Sequence, residues 1–197
     1  MRRLLVLPLA LAATAAFPQD NIYVGVGVGT FDYQENFVSS ILGQVSDEVT
    51  AWKLMGGFEF NPHFALEMNY GQTSNIRQSG TENIPPFGDV TDVLVTDFTI
   101  TSLTAVGQFP FKDRGALVAG LGYFSSQNDF TDTLTADGFD PSVIGGSLSD
   151  DGLTGLLGFE FRWGRFGTRY AVRLEYQWWD IADADSSAVG IALTYGF

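Results

Sequence analysis

Runs in which every second residue is apolar recur along this chain, separated by polar connections. The last is the clearest. From Ser187 to Phe197, the residues Val189, Ile191, Leu193, Tyr195 and Phe197 fall on one face, and Gly190, Ala192, Thr194 and Gly196 on the other. Side chains alternate across a strand, so this is a strand with one bulky apolar face and one face too small to build a core. Asn21–Phe31 sets Ile22, Val24, Val26 and Val28 against Gly25, Gly27 and Gly29. Val49–Phe60 sets Trp52, Leu54, Phe58 and Phe60 against Lys53, Met55, Gly57 and Glu59. After an Asn61-Pro62-His63 turn, Phe64, Leu66, Met68 and Tyr70 oppose Ala65, Glu67, Asn69 and Gly71. Phe98–Phe109, Leu117–Tyr123, Leu153–Trp163 and Thr168–Trp178 read likewise, the first of these least regularly. The pattern predicts eight strands, consecutive ones joined as hairpins.

An eight-stranded sheet with one apolar face closes in either of two ways. A soluble barrel of the lipocalin type turns that face inward and its charges to solvent. A membrane barrel turns it outward to lipid and fills its lumen with the polar face. The connections discriminate between them. Those around Pro62, Pro110 and Gly164 to Gly167 are a few residues long, whereas the ones between run to some twenty or more. Short turns at one end and long loops at the other are the membrane-barrel asymmetry.

Charge sorts with length. The four connections at the long end, 31–48, 72–97, 125–152 and the shorter 179–187, hold 17 acidic residues and a single base, Arg77. The short turns hold Lys112, Arg114, Arg165 and Arg169 against Asp113. The small-residue strand faces hold Lys53, Glu59, Glu67, Glu160, Arg162, Arg173 and Glu175, close to balance. Eight strands enclose a lumen that side chains just fill. Charges there must pair, because a buried charge without a partner costs several kcal/mol. If strands six and seven turn between Phe166 and Gly167, Glu160 lies across from Arg173.

Composition narrows the picture further. Glycine, at 23 residues of 197, is frequent and sits inside strand-like runs. Cysteine is absent, which removes disulfides, thiolate metal sites and a thiol nucleophile. Residues 1–16 read as a secretory signal peptide: Arg2 and Arg3, an apolar run from Leu4 to Ala13, then small residues to Ala16. Residues 17–197 are expected to form the barrel domain. No later run is apolar enough for a membrane helix.

With its signal peptide, eight strands, alternating short and long connections, charged lumen and terminal Tyr195-Gly196-Phe197, the chain resembles the small outer-membrane barrels of Gram-negative bacteria. These are the class of the OmpA transmembrane domain, OmpX and the opacity-type surface proteins. The resemblance implies an all-β, eight-stranded antiparallel up-and-down transmembrane barrel in the cell outer membrane, with extracellular loops and periplasmic termini. It implies contact with outer-membrane lipids and lipopolysaccharide. It also implies that Tyr195 and Phe197 form a C-terminal signal read by the barrel-insertion machinery. The barrel is expected alone, without the peptidoglycan-binding domain of OmpA.

Function classes can be ranked from the residues. Some eight-stranded outer-membrane barrels resemble esterases, which need a serine beside a histidine on the outer surface. The only histidine, His63, lies in a short turn with no serine near it, and reads as solvated. No catalytic, cofactor or metal residue is expected. Gly25-Val26-Gly27-Val28-Gly29 is not followed by a helix, so it is a small-residue lumen face rather than a dinucleotide loop. Asp180, Asp183 and Asp185, or Asp150 and Asp151, could attract divalent cations without forming an EF-hand. A pI near 4.1 disfavours nucleic acid. The leading expectation is a non-enzymatic structural or surface-exposed barrel. A narrow porin-like channel and a soluble lipocalin-like binding barrel are the alternatives.

Overall fold

A computed structural model describes residues 21–39, 43–111, 114–163, 169–181 and 184–197, and in it the alternating runs become nine antiparallel strands. They are β1 (Ile22–Ser39), β2 (Gly43–Asn61), β3 (Phe64–Thr73), β4 (Ile76–Ile84), β5 (Gly88–Phe111), β6 (Gly115–Ala136), β7 (Ser142–Trp163), β8 (Arg169–Ile181) and β9 (Ala184–Gly196). β3 and β4 are two halves of one line, interrupted at Ser74 and Asn75: β3 pairs with residues 99–107 of β5, and β4 with residues 88–96. Each remaining strand pairs with its neighbours in the chain, β9 pairs with β1, and the β3–β5 pairing closes the ring. Eight strands make the barrel, β4 extending the β3 line past it. The fold predicted from the alternation is the fold observed. The signal-peptide reading of residues 1–16 lies outside the described residues.

Which face looks out is settled by exposure. Leu121 is 70 % exposed and Leu153 65 %, whereas Arg173 is 1 % exposed and Glu67 is fully buried. The bulky apolar residues therefore form the outer wall and the small and charged ones line the interior, the inside-out arrangement of a barrel in lipid. Aromatic rings edge this wall at both ends. Trp52 and Tyr70 lie 5.8 Å apart towards the long-hairpin end, and Trp163 stacks on Tyr170 at 6.3 Å towards the short turns. Tyr170 also meets Tyr195 at 5.2 Å, and Tyr195 meets Phe197 at 5.8 Å.

One expectation needs correction. The long connections are not loops for most of their length but paired strand. β1 and β2 stay in register to Glu35 opposite Val45, β4 and β5 to Ile84 opposite Gly88, and β6 and β7 to Leu134 opposite Ser142. Their threonines and valines favour the pleated conformation, and a continued ladder satisfies the backbone amides. The β4–β5 and β6–β7 turns are tight. Phe87 N–H donates to Ile84 O at 2.7 Å beside Pro85-Pro86, and Gly88 and Gly138 take φ of 76° and 79°, open to glycine at little cost.

Candidate functional site: the filled barrel interior

Three layers fill the lumen. The charged layer lies nearest the short turns. Arg173 of β8 is opposite Glu160 of β7, the register predicted from the hairpin. Its Nη2 lies 2.9 Å from Glu160 Oε2, and its Nη1 lies 2.7 Å from Glu67 Oε2 on β3. Glu160 also pairs with Arg162, which reaches Glu59 at 3.4 Å, and Glu59 receives Arg169 at 2.8 Å. An unbroken chain of alternating charge thus runs Glu67, Arg173, Glu160, Arg162, Glu59, Arg169 across the barrel. Lys53 pairs with Glu175 beside it. Within this layer four acids (Glu59, Glu67, Glu160, Glu175) meet four bases (Lys53, Arg162, Arg169, Arg173).

Reading the sequence for charge alternation missed three members of this layer. Arg169 was grouped with the turn bases, yet its guanidinium reaches inward to Glu59. Gln108 accepts from Arg162 Nη2 at 2.5 Å, and Tyr23 O–H donates to Glu67 Oε2 at 2.8 Å. Tyr23 had a legible signal, since it shares parity with Gly25 and Gly27. Its ring needs space, which Gly57 across the strand pair supplies: a Cβ there would fall 2.0 Å from Tyr23 Cζ.

The middle layer is polar and neutral. Asn69 Nδ2 faces Ser102 Oγ at 3.5 Å, and Gln177 Nε2 donates to Thr154 Oγ1 at 3.2 Å. Asn69, Ser102 and Gln177 border, with Lys53 and Glu175, a cavity of about 60 Å³, room for a few waters. Phe98, Ile100 and Trp179 line its other side.

Those three begin the third layer, an apolar plug towards the long hairpins. Phe31, Tyr33, Ile76, Phe98, Ile100, Phe124, Trp179 and Ile181 pack as one buried cluster. Tyr33 and Phe98 rings lie 4.7 Å apart, and Phe31 lies 5.6 Å from both Phe98 and Trp179. Tyr33, Ile76, Trp179 and Ile181 fall in stretches that the sequence reads as polar connections, so the alternation shows the charged lumen but not the plug. The cause is the strand extension: once β1 and β8 run on, the parity that turns charges inward turns Tyr33, Trp179 and Ile181 inward too, while Ile76 is brought inward by the one-residue register shift between β3 and β4.

Candidate sites elsewhere are less built. His63 is exposed in the β2–β3 turn, its N–H bonded to Asn61 Oδ1 at 2.8 Å and its Nδ1 3.3 Å from Gln108 O. Asp150 Oδ1 accepts the Asp151 N–H at 2.9 Å, and Asp151 accepts from the Tyr123 hydroxyl. Asp183 lies outside the described residues, and the Asp185 side chain is not described. Among the described residues, no group of three or more His, Cys, Asp and Glu is placed to hold a metal ion. Tyr195 and Phe197 end the barrel wall, with Phe197 N–H donating to Ile22 O at 3.0 Å. In the outer hairpins Asp92 is buried near Asp132. Burial, then a hydrogen bond and charge repulsion from Asp132, push its carboxyl up to about 6.

Residues 4–197 match the family model for the outer membrane protein beta-barrel domain. No curated protein matches the chain in sequence. Several solved structures are similar in fold. Ail, the attachment invasion locus protein of Yersinia pestis, solved in complex with the heparin analogue sucrose octasulfate, is 16% identical with a TM-score of 0.51, covering 90% of this chain and 99% of its own. Neisserial surface protein A is 14% identical with a TM-score of 0.53, covering 89% and 97%. The outer membrane protein OprG from Pseudomonas aeruginosa is 11% identical with a TM-score of 0.53, covering 91% and 98%.

Proposed function

The chain belongs to the outer membrane protein β-barrel domain family, and from that premise we propose that it is a non-enzymatic surface barrel whose work is done by its acidic hairpins. On this reading it is an integral outer-membrane protein with both termini and the short turns in the periplasm. Its apolar wall meets outer-membrane lipid and lipopolysaccharide. Tyr195 and Phe197 on the closing strand are the signal for the insertion machinery. Divalent cations gather at the acidic rim as counter-ions rather than in a dedicated site.

The observation that carries the reading is the filled lumen beneath the long hairpins. A channel needs a continuous water path, and here an ion-pair chain and an aromatic plug lie in series along the axis. Little but the outer surface is then left to act. The sign of its charge bears on partners. Ail was solved with a polyanion, whereas the long connections of this chain carry 17 acids against Arg77. A polyanion would be repelled. Reconstituted in a planar bilayer, the protein is expected to give no resolved unitary current at 1 M salt. Reproducible unitary steps would favour the narrow-channel reading instead.

A further inference from the structure

We propose that the tip where the β4–β5 and β6–β7 turns meet docks on a choline-bearing lipid surface, taking a trimethylammonium headgroup at Phe87 and Phe139. The inference rests on the reading above for its placement outside the cell, and it names what the acidic hairpins meet there. β5 pairs with β6 as far as Val90 opposite Ala136, so the two turns stand side by side at the end remote from the short turns. Each turn presents one phenylalanine, in Pro85-Pro86-Phe87-Gly88 and in Asp137-Gly138-Phe139-Asp140-Pro141. The two rings lie 5.8 Å apart at an interplanar angle of 62°, yet Phe87 remains 48 % and Phe139 60 % exposed. Single exposed apolar residues are ordinary, but two aromatic rings from different turns gathered at one tip form a patch.

A carboxylate sits beside the rings. A Cβ on Gly88 would lie 3.4 Å from Asp137 Oδ2, so the Asp137 side chain of one turn rests against the residue that follows Phe87 in the other. Asp140 is exposed next to Phe139. Both turns are closed by backbone bonds, Phe87 N–H to Ile84 O at 2.7 Å and Phe139 N–H to Ala136 O at 3.2 Å. The rings are therefore carried on fixed supports, and little ordering is left to oppose binding.

Chemistry selects the occupant. Residues 78–111 and 115–161 contain no lysine or arginine, so the field at the tip is anionic and favours a cation. Aromatic faces attract cations but offer no lone pair. A metal ion needs a shell of oxygens, and a primary ammonium has three donors to satisfy, so both lose hydration at phenylalanine without replacement. A trimethylammonium group has no N–H and spreads its charge over methyls, so it meets ring face and carboxylate together. In a phosphatidylcholine surface that group is the outermost charge and the phosphate lies beneath it. Asp137 and Asp140 then meet the cation first, whereas an anionic surface, or the acidic tip of a second copy, would be repelled. The patch is shallow, which suits headgroups presented in an array to several copies of the protein rather than a single dissolved cation.

The test uses the full-length mature protein refolded into choline-free nanodiscs of phosphatidylethanolamine and phosphatidylglycerol, and measures capture of dye-loaded vesicles. Saturable capture of phosphatidylcholine vesicles is expected, with phosphatidylglycerol vesicles left unbound. Soluble phosphocholine should compete, and phosphoethanolamine at the same concentration should not. The double variant Phe87→Leu/Phe139→Leu keeps apolar bulk but removes the ring faces, and should weaken capture by about fivefold or more while the barrel stays folded by circular dichroism. Asp137→Asn/Asp140→Asn should weaken it as well. Undiminished capture by the leucine variant would mean simple apolar insertion and overturn the proposal. Equal competition by phosphoethanolamine, equal capture of phosphatidylglycerol vesicles, phosphocholine binding without vesicle capture, or adhesion of the nanodiscs to one another in place of vesicles would overturn it too. Because capture is measured on nanodiscs, failure here leaves the orientation of the barrel in cells untouched, and that is measured separately on cells.

Discussion

Arg173 shows how one side chain ties the barrel together. It is buried with both of its carboxylate partners, Glu67 and Glu160, which come from strands on different sides of the lumen. Removing one partner of a buried pair strands the other, at roughly 3 to 5 kcal/mol. Arg173→Met leaves Glu67 with the Tyr23 hydroxyl and no paired cation, and Glu160 with Arg162 alone, and should cost more than Glu160→Gln, which leaves Arg173 still bound to Glu67. The double variant should recover the Glu160 share of the loss but not the Glu67 share, giving a clear coupling energy. Urea unfolding in detergent measures all three. Additive losses would mean that the two charges do not interact. The Glu160 to Arg173 pairing was legible in the sequence because parity and a tight hairpin fix both face and register. Glu67 as the second partner was not, since it depends on how β3 lies across the barrel from β8, which no local pattern records.

At the scale of the strand, the period-two signal identified every element of the ring, and it failed where it was interrupted. Ser74 and Asn75 break the β3–β4 line, and the segment beyond them reads as a polar connection although Ile76 still points inward and is buried. The aromatic plug was lost with it. Polarity suggested loop, but for a hairpin standing in water both faces can be polar, so polarity ceases to separate strand from loop. One element also carries a pH response. The Asp92 carboxyl on β5, in the outer extension, is raised to about 6, so between the ordinary carboxylate range and that value the folded hairpin binds a proton that the unfolded chain does not. Its stability should therefore fall as pH rises through about 6. Amide exchange of residues 88–96 should be slower at pH 5 than at pH 7.5 after correction for intrinsic rate, and Asp92→Asn should remove the difference. A wild-type profile with no such pH term would contradict the carboxyl pairing.

Across the whole molecule, outside and inside divide the work. The apolar wall suits the chain to lipid, the lumen layers hold the ring shut, and the strand extensions carry acid away from the wall. Closure depends on β9, which pairs with β1 on one side and β8 on the other. Phe197 lies at its end, where one backbone bond to Ile22 adds little to a ladder of this length. Deleting Phe197 should therefore leave refolding into detergent nearly intact, while lowering the amount assembled in the outer membrane and raising the amount degraded in the periplasm. Normal membrane levels would argue against the terminal signal. The proposed orientation puts the acidic hairpins outside the cell and the short turns in the periplasm. The chain has no cysteine, so a single cysteine can be placed at Gly138 in the β6–β7 turn or at His63 in the β2–β3 turn and probed with a membrane-impermeant maleimide. Labelling of Gly138→Cys is expected on intact cells, and of His63→Cys only after the outer membrane is permeabilised. The reverse pattern, or protection of both until cells are opened, would contradict it.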